Sequence, residues 1–171
     1  MPAIKIFGKV CIVVILGIVL VLGPMAMIGL NRRWGLPSWQ TAAGVVVGNV
    51  LTVSAVVVWA YCSRLFSRIG KGTPFVTDPP TRLVMGGAYR YSRNPIYLAH
   101  VGFLLGWVLR SGCLLPLLYT VLITALIQAA IVWWEEPGLR ARFGEAYVRY
   151  TEAVPRWLLL RPRRRLTSKW G

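Results

Sequence analysis

The chain has 171 residues, 56% of them hydrophobic, with a mean hydropathy of +0.59 and a formal net charge of +15. It is too apolar for an ordinary soluble domain and too long for a single membrane span. Its basic residues flank apolar runs, so they suit anionic lipid headgroups and exclude a nucleic-acid partner.

Three runs carry no charge: Val10 to Leu30, Trp34 to Ser63 and Ser111 to Trp134. Each reaches the roughly 20 residues that an α-helix needs to cross hydrocarbon. A fourth apolar run, Pro95 to Leu109, is shorter and calls for a thinned bilayer or a helix with little tilt. The expected fold class is therefore all-α integral membrane. It has about four transmembrane helices, near 10–30, 41–62, 95–109 and 111–134, the last two forming a hairpin.

Lys5 and Lys9 ahead of the first run resemble the start of a signal peptide. The run outlasts a signal peptide's apolar core, and a retained helix is expected. Trp34 and Trp39 bracket a short turn holding Gly35 and Pro37, placed to anchor at an interface. Gly44 and Gly48 permit close approach of a neighbouring helix within the chain.

Gly70 to Asn94 is the longest polar stretch between spans, broken by repeated Gly and Pro. It also holds Phe75, Leu83, Val84, Tyr89 and Tyr91, which argue that it packs on something. After Glu136, Pro137 suits the first turn of a new helix. Leu139, Phe143, Tyr147 and Tyr150 recur at helical spacing, predicting an amphipathic surface helix that ends at Pro155. A polybasic tail, Arg161-Pro-Arg-Arg-Arg165, follows. These features divide one membrane domain, 1–171, into a helix pair at 1–69, a motif region at 70–157 and a tail at 158–171.

Of the 20 basic residues, only Arg32, Arg33 and Arg110 fall on the side of the first turn. The positive-inside rule then puts both termini and the long loop in the cytoplasm. Cys11, Cys62 and Cys113 have no metal or disulfide spacing and read as small packing residues. His100 is the single histidine, which excludes multi-histidine metal and haem arrangements.

Asp78, Glu145 and Glu152 have ordinary uses as a turn cap and in surface ion pairs. Glu135 and Glu136 differ, because they close the last apolar helix directly after Trp133-Trp134. A carboxylate at the edge of hydrocarbon needs a partner or a task. Arg90 and Arg93, across the hairpin, are candidate partners; the alternative is a pair of acceptors for hydroxyls or a cation.

Tyr89-Arg-Tyr-Ser-Arg-Asn-Pro-Ile-Tyr97, an apolar hairpin, Glu135-Glu136, Phe143-Gly-Glu145, Tyr147, Tyr150 and Val154-Pro155 come in this order. Together they resemble the isoprenylcysteine carboxyl methyltransferase and phospholipid N-methyltransferase superfamily. Asp78-Pro-Pro80 and Thr81-Arg-Leu-Val84 resemble its bacterial members, and the likeness spans roughly Gly70 to Trp157. It implies an all-helical membrane enzyme using S-adenosyl-L-methionine, placed in a bacterial inner membrane. The cofactor-contacting positions that it implies are Leu83, Val84, Tyr89, Asn94, Pro95, Ile96, Tyr97 and Glu135. Glu136 completes the acidic pair as a candidate base, with Arg93 as its catalytic companion.

Two positions depart from the prenylcysteine pattern. Asn94 stands where those enzymes have histidine, and Ile131 where they have an arginine. The expected acceptor is therefore a lipophilic molecule whose reacting group is neutral, entering from the bilayer. The alternative is a lipid- or cofactor-binding protein on the same scaffold, like the membrane sterol-reductase relatives, without methyl transfer. The oligomeric state is not legible.

Overall fold

The computed structural model describes residues 2–70 and 81–158. Asp78-Pro-Pro80 and the polybasic cluster lie outside the described residues. Helices α1 (Pro2–Gly17) and α2 (Gly23–Arg33) are joined by a π-helical turn, Ile18–Leu22. Helix α3 (Ala42–Leu65) continues as a second π turn, Phe66–Gly70. After a 3₁₀ turn at Gly87–Arg90 come α4 (Pro95–Ser111) and α5 (Leu114–Ala130). A third π turn, Ile131–Glu135, leads into α6 (Glu136–Phe143), and α7 (Glu145–Ala153) follows. No strand forms among the described residues beyond an isolated bridge between Ser38 and Cys113.

Three rods, Val10–Arg33, Ala42–Gly70 and Leu114–Phe143, are long and apolar enough to cross a membrane. Their apolar side chains point outward. Val46, Val53 and Val57 on α3 are each more than 60% exposed, the inverse of a soluble core. Helix α4 has 17 residues, about 25 Å at 1.5 Å per residue.

Helix α4 lies against α3 because both present glycine at the contact. A Cβ added at Gly48 would stand 2.7 Å from the Gly106 carbonyl oxygen, and one added at Gly44 would stand 2.7 Å from that of Leu109. The pairs run in opposite directions, so the two helices are antiparallel neighbours. Thr41 starts α3 by accepting a hydrogen bond from Gly44 N at 3.0 Å.

The far end of the bundle is stitched by Asn31, which is 1% exposed. Its Nδ2 donates to Leu36 O at 3.1 Å, and its Oδ1 accepts from Leu115 N at 3.0 Å. Gly112 turns the α4–α5 hairpin at φ 58, with the Gln40 backbone crowded against it.

The single helix expected between Pro137 and Pro155 is two pieces, and although Pro137 sits in the first turn of α6, that helix does not begin afresh there. Helix α5 runs on through the π turn into α6. The break comes at Gly144, whose φ of 55 a residue with a Cβ would resist. Pro24 and Pro137 each follow a π turn by two residues, and Gly23 N and Glu136 N each bond the carbonyl five residues back. The wider turn makes room for a ring that would clash with a carbonyl in a regular α-helix.

Candidate functional site

The start of α4, the end of the π turn Ile131–Glu135 and the segment after α7 meet at one place. Glu135 and Glu136 are consecutive on a helical path, so their side chains leave the axis about 100° apart. They serve different partners. Tyr97 Oη donates to Glu135 Oε2 at 2.7 Å, joining α4 to the far arm of the hairpin. Glu136 takes two guanidinium groups. Arg156 donates from Nε to Oε1 at 2.8 Å and from Nη2 to Oε2 at 2.9 Å, and Arg93 Nη1 lies 3.1 Å from Oε1.

The segment after α7 is tied down as a strap. Ser92 Oγ and Asn94 Nδ2 both donate to Arg156 O, at 3.2 and 3.1 Å, and Arg93 N donates to Pro155 O at 3.0 Å. Tyr150 Oη donates to Tyr89 O at 2.7 Å, and Arg93 Nη1 reaches Tyr147 Oη at 3.5 Å. Tyr147, Tyr150 and Val154 are buried together, with Leu83 packed on them.

Burial raises the Tyr150 and Tyr147 hydroxyls above tyrosine's ordinary range, against the lowering effect of Arg93. Tyr89 is also raised, by burial first and then by Cys62, Tyr150, Glu135 and Tyr97, which places it within electrostatic reach of the site. Hydrogen bonding to Glu136 raises the Arg156 guanidinium.

The structure thus brings Arg93, Asn94, Pro95, Tyr97, Glu135 and Glu136 together. It uses the other expected residues differently. The Tyr89 ring meets Phe66 edge-on, centroids 5.4 Å apart, and clusters with Cys62, Val84 and Ile96. Tyr89 and Val84 thus pack with Cys62, while Leu83 packs on Tyr147, Tyr150 and Val154. The Asn94 amide is engaged by the strap and makes no side-chain cap on α4. Glu136, expected as a base, has both oxygens held by guanidinium groups. Arg156 and Ser92 were not singled out from the sequence. Their link to Glu136 and Asn94 crosses two helices and leaves no periodic trace.

Polar capacity remains at the site. Among the described residues Glu135 accepts its hydrogen bond from Tyr97 alone, and a carboxylate has room for several more. Arg93 Nε is buried without a partner. The first turn of α4 offers backbone N–H groups that no helical carbonyl reaches. An acceptor carboxylate, a spare guanidinium donor and a helix N-terminus fit a ligand that carries hydroxyls, an ammonium and a carboxylate. S-adenosylmethionine is such a ligand.

The family model described as phospholipid methyltransferase matches residues 39–146. The chain belongs to that family. The match runs from just before α3 into α7 and takes in Arg93, Tyr97, Glu135 and Glu136. With three helices apolar enough to span, this phospholipid methyltransferase family member is an integral membrane protein. Comparison with curated proteins and with solved structures finds no match.

Proposed function

We propose that the protein transfers a methyl group from S-adenosylmethionine to a lipophilic acceptor at the membrane edge. The observation that carries this is the Tyr97–Glu135 hydrogen bond, set beside the Glu136 clamp inside the matched family region. When bound, S-adenosylmethionine supplies a methyl carbon already activated by its sulfonium, so the protein must chiefly orient the reactants and keep out water.

Each residue then has a distinct task. Glu135 accepts hydrogen bonds from the cofactor's hydroxyls or ammonium group, and Tyr97 fixes the rotamer that does so. Arg93, with its spare Nε, holds a carboxylate. Glu136 is no longer the candidate base. Clamped by Arg93 and Arg156, it closes the strap over the site and is a positioning residue.

The acceptor in this reading is neutral at its reacting atom, or becomes so by losing a proton to water. Ile131 is 1% exposed and offers no cation on its turn of the helix, and an anionic group desolvated there would lack a partner. An amine, hydroxyl or carbon on a lipid fits. Helix α4 counts as a fourth span, since it runs antiparallel along α3, and both termini face the cytoplasm with the site.

Labelled methyl transfer from S-adenosylmethionine into a total membrane lipid extract tests the activity. Label in a lipid fraction, lost in Glu135→Ala, is expected. Absence of transfer to any lipid by folded protein would refute it.

A further inference from the structure

A groove of about 470 Å³ lies between the two arms of the α4–α5 hairpin. Val101 and Leu105 of α4 form one wall; Thr120, Thr124 and Gln128 of α5 form the other, with Trp157 also lining it. Two of its polar residues are already satisfied. Thr120 Oγ1 donates to Pro116 O at 2.8 Å, and Thr124 Oγ1 donates to Thr120 O at 2.7 Å. Their polarity is spent within the helix, so the groove is apolar where it lies between the spans.

Its other end is not. Gln128 Oε1 is buried with no hydrogen-bond partner, a costly state away from water. Trp157 directly follows Arg156, which grips Glu136. One end of the groove is therefore lined by the strap that Arg156 ties to Glu136. From Thr120 to Gln128 it follows about 12 Å of helix axis, and Glu135 lies about 10 Å further on.

We propose that this groove holds one hydrocarbon chain of the lipid acceptor. The assignment rests on the methyltransferase reading and adds a chain-binding subsite to it. The chain lies between α4 and α5 with its tail toward Thr120. Its polar end passes Gln128, which accepts a hydrogen bond from a hydroxyl or N–H of the lipid, and reaches Glu135 beside Trp157. A lipid that merely surrounds the protein would have no reason to prefer this face over the exposed valines of α3.

The test uses the full chain in nanodiscs of phosphatidylcholine containing a phosphatidylethanolamine with a photoreactive diazirine in mid-chain. The expected result is labelling of the Thr120–Gln128 segment about tenfold above the outer face of α3. Filling the groove from either wall, with Ala125→Trp or Leu105→Trp, removes that labelling and methyl transfer to the same lipid. Val53→Trp on α3 changes neither, and S-adenosylmethionine affinity is equal in all four proteins. Even labelling of α3 and α5, or labelling and transfer that survive both groove-filling variants, would overturn the subsite while leaving the methyltransferase reading intact. Failure of the wild type to bind S-adenosylmethionine would remove that reading, and the acceptor's identity with it, whatever the labelling shows.

Discussion

Arg156 grips Glu136 with two parallel hydrogen bonds, 2.8 and 2.9 Å long, across 20 residues of chain. Two-pronged guanidinium–carboxylate bonds are among the stronger polar contacts and fix orientation as well as distance. This one closes the segment after α7 over the start of α4.

Arg156→Ala should destabilise the protein by about 1–2 kcal/mol, a figure held down by the partial exposure of the pair. Arg156→Lys should recover less than half of the loss, because an ammonium cannot make the fork. Glu145→Ala should cost about 0.5 kcal/mol or less, since its contact with Arg149 is exposed. Thermal unfolding in detergent checks all three. A loss at Glu145 equal to that at Arg156 would remove any special role for the clamp.

Alkaline pH should weaken the fold in a defined window. Burial raises the Tyr89, Tyr147 and Tyr150 hydroxyls. Above about pH 10 the unfolded chain loses these protons while the folded chain keeps them. The unfolded state then binds fewer protons, so stability is fully present below about pH 10 and falls as pH rises past it. The unfolding midpoint at pH 8 and pH 11 measures this, and Tyr150→Phe should flatten the fall. A midpoint that rises with pH in that window would contradict the burial account.

Reporter fusions should place both termini on the cytoplasmic side. Arg32, Arg33 and Arg110 are the basic residues on the opposite side of the proposed spans. A fourth crossing by α4 is needed for this result, so an exterior C-terminus would mean that α4 does not cross.

A farnesylcysteine analogue, whose free carboxylate is the reacting group in prenylcysteine enzymes, should be a poor acceptor. Ile131 is buried and offers it no cation. Turnover with a long-chain amine lipid should exceed turnover with the analogue by about tenfold or more, the scale of 1.4 kcal/mol. Faster turnover with the analogue would contradict the neutral-acceptor reading and point to Arg90 or Arg93 as the source of the missing charge.

Much of the fold was legible because hydropathy measures what a span requires. The uncharged runs beginning at Val10, Trp34 and Ser111 became the three long rods. The Glu135-Glu136 pair stood out for the same reason, as charge at the end of an apolar run. The course of the chain after Glu136 was not legible. Proline at 137 reads as a helix start, yet a π turn just before it let the helix continue. The resemblance gave the two glutamates different roles, but their partners were not legible: the 100° between them sends one to Tyr97 and the other to Arg156. Tyr89 read as a ligand-facing aromatic, whereas Phe66 and Cys62 cover its ring.

Binding of S-adenosylmethionine to the purified protein, followed by calorimetry, tests the central claim most directly. The wild type should bind. Glu135→Gln and Tyr97→Phe should each weaken binding by about 1–3 kcal/mol, because the first removes the carboxylate charge and the second removes the hydrogen bond that orients it, while the fold persists. Glu145→Ala should bind as the wild type does. A wild type that does not bind, or a Glu135→Gln variant that binds unchanged, would contradict the account.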